Sequence, residues 1–241
     1  MTNFDRTVRV FMLPQLIGSQ TLADNVIVID VLRASTTICT AIHNGAASVV
    51  PFLEIEEAQK FSWGDSSILT GGERGGIQIE GFDFGNSPFE YTEERVSGRT
   101  IAFTTTNGTK AMNQCKQSSN VFIGSFCNFS EIARSIAEHP KIDLICAGTN
   151  GEITLEDCIF AGMVAENLSS ESVVNFNDQA EICRKIWTSS KSDLQGALKQ
   201  STGGRNLIHL KKEADVELAS RIDSIPILPK LNTNTWNIKP A

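Results

Sequence analysis

Val26-Ile27-Val28-Ile29-Asp30-Val31-Leu32-Arg33-Ala34-Ser35-Thr36-Thr37 is a short apolar run that breaks into polar, reactive residues. A β-rich run of this length reads as a buried parallel strand, covered on both faces. Two later stretches repeat the arrangement. Ile101-Ala102-Phe103 runs into Thr104-Thr105-Thr106-Asn107-Gly108-Thr109. Leu144-Ile145-Cys146-Ala147 runs into Gly148-Thr149-Asn150-Gly151, then Thr154-Leu155-Glu156-Asp157. Ligands of open α/β sheets bind beyond the carboxyl ends of such strands. The chain therefore places a carboxylate, an arginine, hydroxyls and turn amides where a site is expected. That mixture suits an oxyanion, with room for a metal.

Outward from these runs, strand and helix alternate. Strands are expected at residues 7–13, 25–30, 47–52, 67–70, 99–104, 120–123 and 142–147. Helices are expected at 35–44, 55–63, 109–118, 130–138, 155–169 and 178–200, with two short ones at 203–211 and 214–221. Alternation of this kind predicts an α/β fold: a mostly parallel sheet with flanking helices and a helical C-terminal portion. Residues 1–241 read as one unit, and the polar stretch near 169–178 is a candidate subdomain boundary. The glycine-rich segment 71–88 has no helical period, and its Phe82 and Phe84 argue for an ordered, functional loop. Within it, Ser87-Pro88-Phe89-Glu90 has the order of a capped helix start.

The chain of 241 residues is 41% hydrophobic and 20% charged, ordinary for a globular protein. A net charge of −7 argues against nucleic acid or anionic membrane as partner. An anionic substrate would then need locally placed cations. The six cysteines are scattered with no CxxC spacing, so buried free thiols in a reducing compartment are expected. No basic leader with an apolar core stands at the N-terminus, and no run approaches 18 apolar residues, so a cytoplasmic location is expected. A homodimer is allowed.

Asp30 could bind a divalent cation, act as a nucleophile, cap a helix or pair with Arg33. Haloacid-dehalogenase chemistry is disfavoured, because Leu32 stands where a second aspartate is needed. Arg33 matches phosphate, carboxylate or sulfonate oxygens in a fork, or balances Asp30. Ser35, Thr36 and Thr37 open a helix whose first amides favour an anion, with simple capping as the alternative. Thr104 to Thr109 reads as an anion nest or a tight structural turn. No phosphate-binding P-loop run is present. Glu73 and Arg74 lie among glycines, suggesting close approach to a ligand or a solvated turn. Asp157 fits the third position of a helix cap, and Glu156 would favour the helix dipole. His43, His139 and His209 lie away from these turns, so a serine–histidine triad is unsupported. For Asp215 and Asp223, solvated or capping roles are expected.

Five ordered motifs together resemble a known family: Asp30-Val31-Leu32-Arg33-Ala34, Gly72-Glu73-Arg74-Gly75, Gly81-Phe82 with Gly85-Asn86-Ser87-Pro88, Thr104 to Thr109, and Ala147 to Gly151 with Glu156-Asp157. The family is 2-phosphosulfolactate phosphatase of coenzyme M biosynthesis, and the resemblance covers roughly residues 24–229. It implies an α/β fold of its own type and a Mg²⁺-dependent acid phosphatase. The implied reaction converts 2-phospho-3-sulfolactate to 3-sulfolactate and phosphate; another 2-phosphohydroxy acid is an alternative substrate. Lys211 departs from the pattern, standing where the family often has glycine. On this reading Asp30 is a metal ligand or nucleophile, and Arg33 acts beside it. Arg74, Thr36, Asn86, Asn107 and Thr109 hold substrate oxygens. Glu73 or Asp157 completes the metal shell. The rival is a non-catalytic module that binds an anionic metabolite.

Overall fold

The computed structural model describes residues 6–170 and 173–241. Seven strands fall where the apolar runs predict: β1 (Arg6–Phe11), β2 (Asn25–Ile29), β3 (Ser48–Pro51), β4 (Ile68–Arg74), β6 (Thr100–Thr104), β7 (Asn120–Gly124) and β8 (Lys141–Cys146). Four others were not predicted: β5 (Ile77–Gln78), β9 (Val174–Phe176), β10 (Pro229–Asn232) and β11 (Asn237–Pro240). The helices are α1 (Ala34–His43), α2 (Ile55–Ser62), α3 (Glu93–Val96), α4 (Gly108–Asn113), α5 (Phe129–Ile136), α6 (Leu155–Ser169), α7 (Asp178–Ser190), α8 (Leu194–Gln200), α9 (Thr202–His209) and α10 (Glu213–Ala219). The single helix expected over 178–200 is thus two, separated by a short 3₁₀ turn at Lys191–Asp193.

The described strands form one 11-stranded sheet in the order β5-β4-β6-β3-β11-β10-β7-β2-β8-β1-β9. Pairing is parallel along β4-β6-β3 and along β7-β2-β8-β1-β9. Between these groups the hairpin β10–β11 pairs antiparallel with β7 on one side and β3 on the other. It closes what would otherwise be two exposed sheet edges. Of the stretch 169–178, residues 171–172 lie outside the described residues, while Val174–Phe176 joins the sheet beside β1.

Two cores flank the sheet. On one face α6 is buried from Glu156 to Ala165, its run 158–165 being apolar all round, and α7 to α10 pack over this side. On the other face α1 and α4 bury Ile38, Ala41, Ala111 and Met112 against residues of β2, β3, β6, β7, β10 and β11. That α4, which follows β6, also packs on β2, five strands away in the order, means that the sheet curls around these two helices. All six cysteines are buried and free. No helix among the described residues is long and apolar enough to cross a membrane.

The 71–88 segment is more regular than expected. β4 continues through Gly71 to Arg74, and Phe82 and Phe84 are buried, consistent with an ordered segment. Lys211 sits at φ 59°, the left-handed region that glycine adopts without strain.

Candidate active site

A cavity of about 340 Å³ opens beyond the carboxyl ends of β2, β4 and β6, with the first turn of α9 as its far wall. At about 4.8 Å per strand, the five steps from β6 to β2 would span about 24 Å in a flat sheet. The curl removes that distance. Gly108, just after β6, lies so close to Asp30 that a Cβ on it would stand 2.7 Å from Asp30 Oδ2 and 2.7 Å from Ala34 Cβ. Only glycine fits there, because both neighbours are buried.

Asp30 follows four fully buried residues of β2 and is itself 8% exposed. Its Oδ1 accepts the Ala34 amide at 3.1 Å, while its own amide donates to Ser35 Oγ at 3.0 Å. The carboxylate is therefore oriented by the first turn of α1. Burial pushes its pKa up to about 7; the Ala34 amide opposes this, Glu73 and Glu156 add to it, and Arg33 opposes it. A carboxyl that changes protonation near neutrality can take or give a proton.

Arg33 is 4% exposed and lines the cavity. Its balance is not Asp30. Nη1 donates to Asp215 Oδ2 at 2.7 Å, and Nη2 to the Gly76 carbonyl at 2.9 Å. Asp215, on α10, also accepts the Ser87 hydroxyl at 2.6 Å. This corrects two expectations: Asp215 is neither solvated nor a cap, and Ser87 does not cap the turn that follows it. The sequence offers no signal for the Arg33–Asp215 pair, whose members are 182 positions apart.

Glu73 is the penultimate residue of β4 and lines the same cavity. Its Oε1 accepts the Thr106 amide at 2.9 Å and its Oε2 the Gly76 amide at 2.6 Å. It thereby fixes the turn after β6 and the Gly75-Gly76 turn together. Asn86 and Thr106 also line the cavity, and Asn86 Oδ1 and Thr106 Oγ1 are buried with no partner. An unpaired buried polar atom costs about 1–3 kcal/mol, so such atoms mark places held for a ligand. Asn107 lines the cavity with its Oδ1 accepting the Asn150 amide at 3.0 Å.

The structure brings Asp30, Arg33, Glu73, Asn86 and Asn107 to one cavity. Arg74, Thr36, Thr109 and Asp157 stand outside it, each for a definite reason. Arg74 donates to the Glu73 and Leu53 carbonyls and to Thr104 Oγ1, tying the end of β4 to its neighbours. Thr36 donates to the Val31 carbonyl and shares a hydrogen bond with Ser125 Oγ. Thr109 Oγ1 turns back to the Thr105 carbonyl at 2.8 Å, the usual local fate of a helical threonine. Asp157 Oδ1 accepts the Val31 amide at 2.9 Å, and Oδ2 the Gly148 amide at 3.0 Å. It clamps two strand-end turns together, and burial, with Glu156 and Asp30 nearby, raises its pKa well above the carboxylate range. Glu156 packs behind Gly203 of α9; its Oε2 is unpartnered and burial raises its pKa.

Among the described residues no group of three or more His, Cys, Asp or Glu side chains is gathered to hold a metal ion. Mg²⁺ asks for less, typically one or two carboxylates with water and substrate oxygens. Asp30 and Glu73 are the carboxylates that line the cavity.

Residues 11–234 match the family model described as 2-phosphosulpholactate phosphatase. A protein of Symbiobacterium thermophilum called probable 2-phosphosulfolactate phosphatase is 40% identical over 207 residues, 84% of this chain and 89% of that protein. Proteins of the same name from Thermotoga petrophila and Picosynechococcus are 38% identical over 213 residues and 35% over 225. Those alignments cover 88% and 91% of this chain and 91% and 93% of the relatives. The matched residues contain every side chain that lines the cavity, and the chain belongs to the 2-phosphosulpholactate phosphatase family.

Proposed function

We propose that the cavity hydrolyses the phosphate ester of a 2-phosphohydroxy acid, with 2-phospho-3-sulfolactate as substrate and 3-sulfolactate and phosphate as products. One observation carries the reading: a buried arginine, two carboxylates and two unpartnered polar atoms converge on a space the size of a small metabolite. Family membership supports the same chemistry.

Mg²⁺ fits the donor set, which is all hard oxygen: Asp30, Glu73, Asn86 Oδ1 and Thr106 Oγ1. A bound cation would give the unpartnered oxygens a partner and offset both the burial of the Asp30 carboxylate and the smaller repulsion from Glu73 and Glu156. When bound, the ion would neutralise charge on the ester oxygens. The chain supplies the rest. Arg33 keeps donors beyond the two spent on Asp215 and Gly76, and these can hold phosphoryl oxygens in a fixed plane. Asp30, oriented by Ala34, either takes the proton of a water that attacks phosphorus, or attacks phosphorus itself to form an aspartyl phosphate that water then hydrolyses; in both cases the ester P–O bond breaks and the departing hydroxyl oxygen takes up the proton that the water gives up. Asn86 and Asn107 orient the remaining oxygens. Phosphoryl transfer asks mainly for positioning and charge stabilisation, which this arrangement can provide.

The test is phosphate release from 2-phospho-3-sulfolactate and other phosphorylated 2-hydroxy acids, with Mg²⁺ and with excess chelator. Release that depends on Mg²⁺ is the expected result. Binding of these compounds without any release would reject hydrolysis and leave a binding module.

A further inference from the structure

The proposed substrate carries two acidic groups besides the phosphate, and the cavity has a single cationic side chain with which to meet them. Its ionisable lining residues are Asp30, Glu73 and Arg33, and Arg33 is already paired with Asp215. Arg74, the other expected anion binder, is spent on carbonyls and Thr104. A second hollow adjoins the first. It is a groove of about 690 Å³ that shares Asn107 and Asn150 with the cavity, so the hydrogen bond between these two residues forms the sill between them.

The groove has a different character. Lys110, Asn113 and Gln114, on or just after α4, line it, and Glu54 is its one carboxylate. Lys110 is exposed, and among the described residues it makes no ion pair or side-chain hydrogen bond. It lies three positions after the sill residue Asn107, on the helix whose first residue touches Asp30. An ammonium on a flexible stem offers three rotatable donors around a point charge. That suits the threefold oxygen array of a sulfonate better than the flat edge of a carboxylate.

We propose that this groove is the subsite for the substrate's sulfonate, with Lys110 as its counter-charge, the phosphate lying across the Asn107–Asn150 sill in the cavity. The assignment rests on the phosphatase reading and adds a specificity determinant to it.

The test uses a matched pair of substrates: 2-phospho-3-sulfolactate, and 2-phospholactate, which lacks only the sulfonate. In the wild type kcat/KM favours the sulfonated compound. In Lys110→Ala that preference falls about two- to fivefold, the scale of one exposed ion pair, and the fall shrinks at high salt. Lys110→Arg retains most of the preference. Calorimetric binding of 3-sulfolactate against lactate, in wild type and Lys110→Ala, reads the subsite without turnover. If no phosphate is released from any substrate, hydrolysis fails while the binding pair still decides the subsite. The absence of a sulfonate preference in the wild type, or a preference that survives Lys110→Ala, overturns the assignment whatever the catalytic result.

Discussion

Replacing Asp30 with asparagine should cost activity and add stability. The carboxyl's pKa stands at about 7 in the folded chain against an ordinary 3.8, chiefly because it is buried, with Glu73 and Glu156 adding to the shift. Between those two values the unfolded chain has released the proton and the folded chain keeps it. Wild-type stability without metal must therefore fall as pH rises from about 4 to about 7, then level off. The gap of about 3 pH units, at about 1.4 kcal/mol per unit, sets an upper value of about 4 kcal/mol. Water in the open cavity reduces it, so about 2–4 kcal/mol is expected at pH 8. Asparagine keeps an acceptor for the Ala34 amide at Oδ1 and carries no charge. Asp30→Asn should thus be the more stable protein at pH 8 in chelator, show a shallower decline than the wild type in this range, since Asp157 and Glu156 keep their raised pKa values, and turn over ~10³-fold more slowly. Urea unfolding between pH 4 and pH 8 measures the first two effects, and added Mg²⁺ should narrow the gap by stabilising only the wild type. An Asp30→Asn protein that is less stable than wild type at pH 8 would refute the electrostatic account of this carboxylate.

Arg33→Lys keeps the charge but loses the plane that reaches Asp215 and the Gly76 carbonyl together; kcat/KM should fall by about 10²-fold while the unfolding midpoint moves little. Wild-type kinetics would make Arg33 structural. Asp215→Asn should leave the buried guanidinium unbalanced, lowering stability by about 3 kcal/mol and raising KM as Arg33 loses its fixed aim. An unchanged KM in the folded variant would remove Asp215 from substrate positioning.

Much of the fold was legible because buried parallel strands are written as apolar runs. β2, β6 and β8 announce themselves in that way, and Asp30 is conspicuous because it ends one. The hairpin β10–β11 is not, since its exposed positions are filled by lysine and asparagine and it begins and ends in proline. β9 has three residues, too few for a period. Within the site, the sequence identifies which turns meet but not where each hydroxyl points. Thr36 and Thr109 have the right composition for anion binding, yet a nearby carbonyl takes each of them. Asp157 shows the same limit: two backbone amides from strand-end turns claim both of its oxygens. Asp215 was hidden by separation, because only the packing of α10 brings it to Arg33.

The position of the β10–β11 hairpin in the middle of the sheet bears on how the protein comes into being. Asp30 and Arg33 follow β2 on one side of it; Glu73 in β4 and Thr106 after β6 lie on the other. A ribosome makes both sets of residues long before residues 229–240. Until those residues emerge, the two parallel groups have no strands to bridge them, and β3 and β7 present unpaired edges. The nascent chain is then at its most prone to wrong pairing, and such long-range closure is slow. The insertion of the hairpin thus acts as a quality gate: a chain stalled or cut before residue 229 can hold most of its helices and still be unable to fix the curl that brings its two carboxylates together.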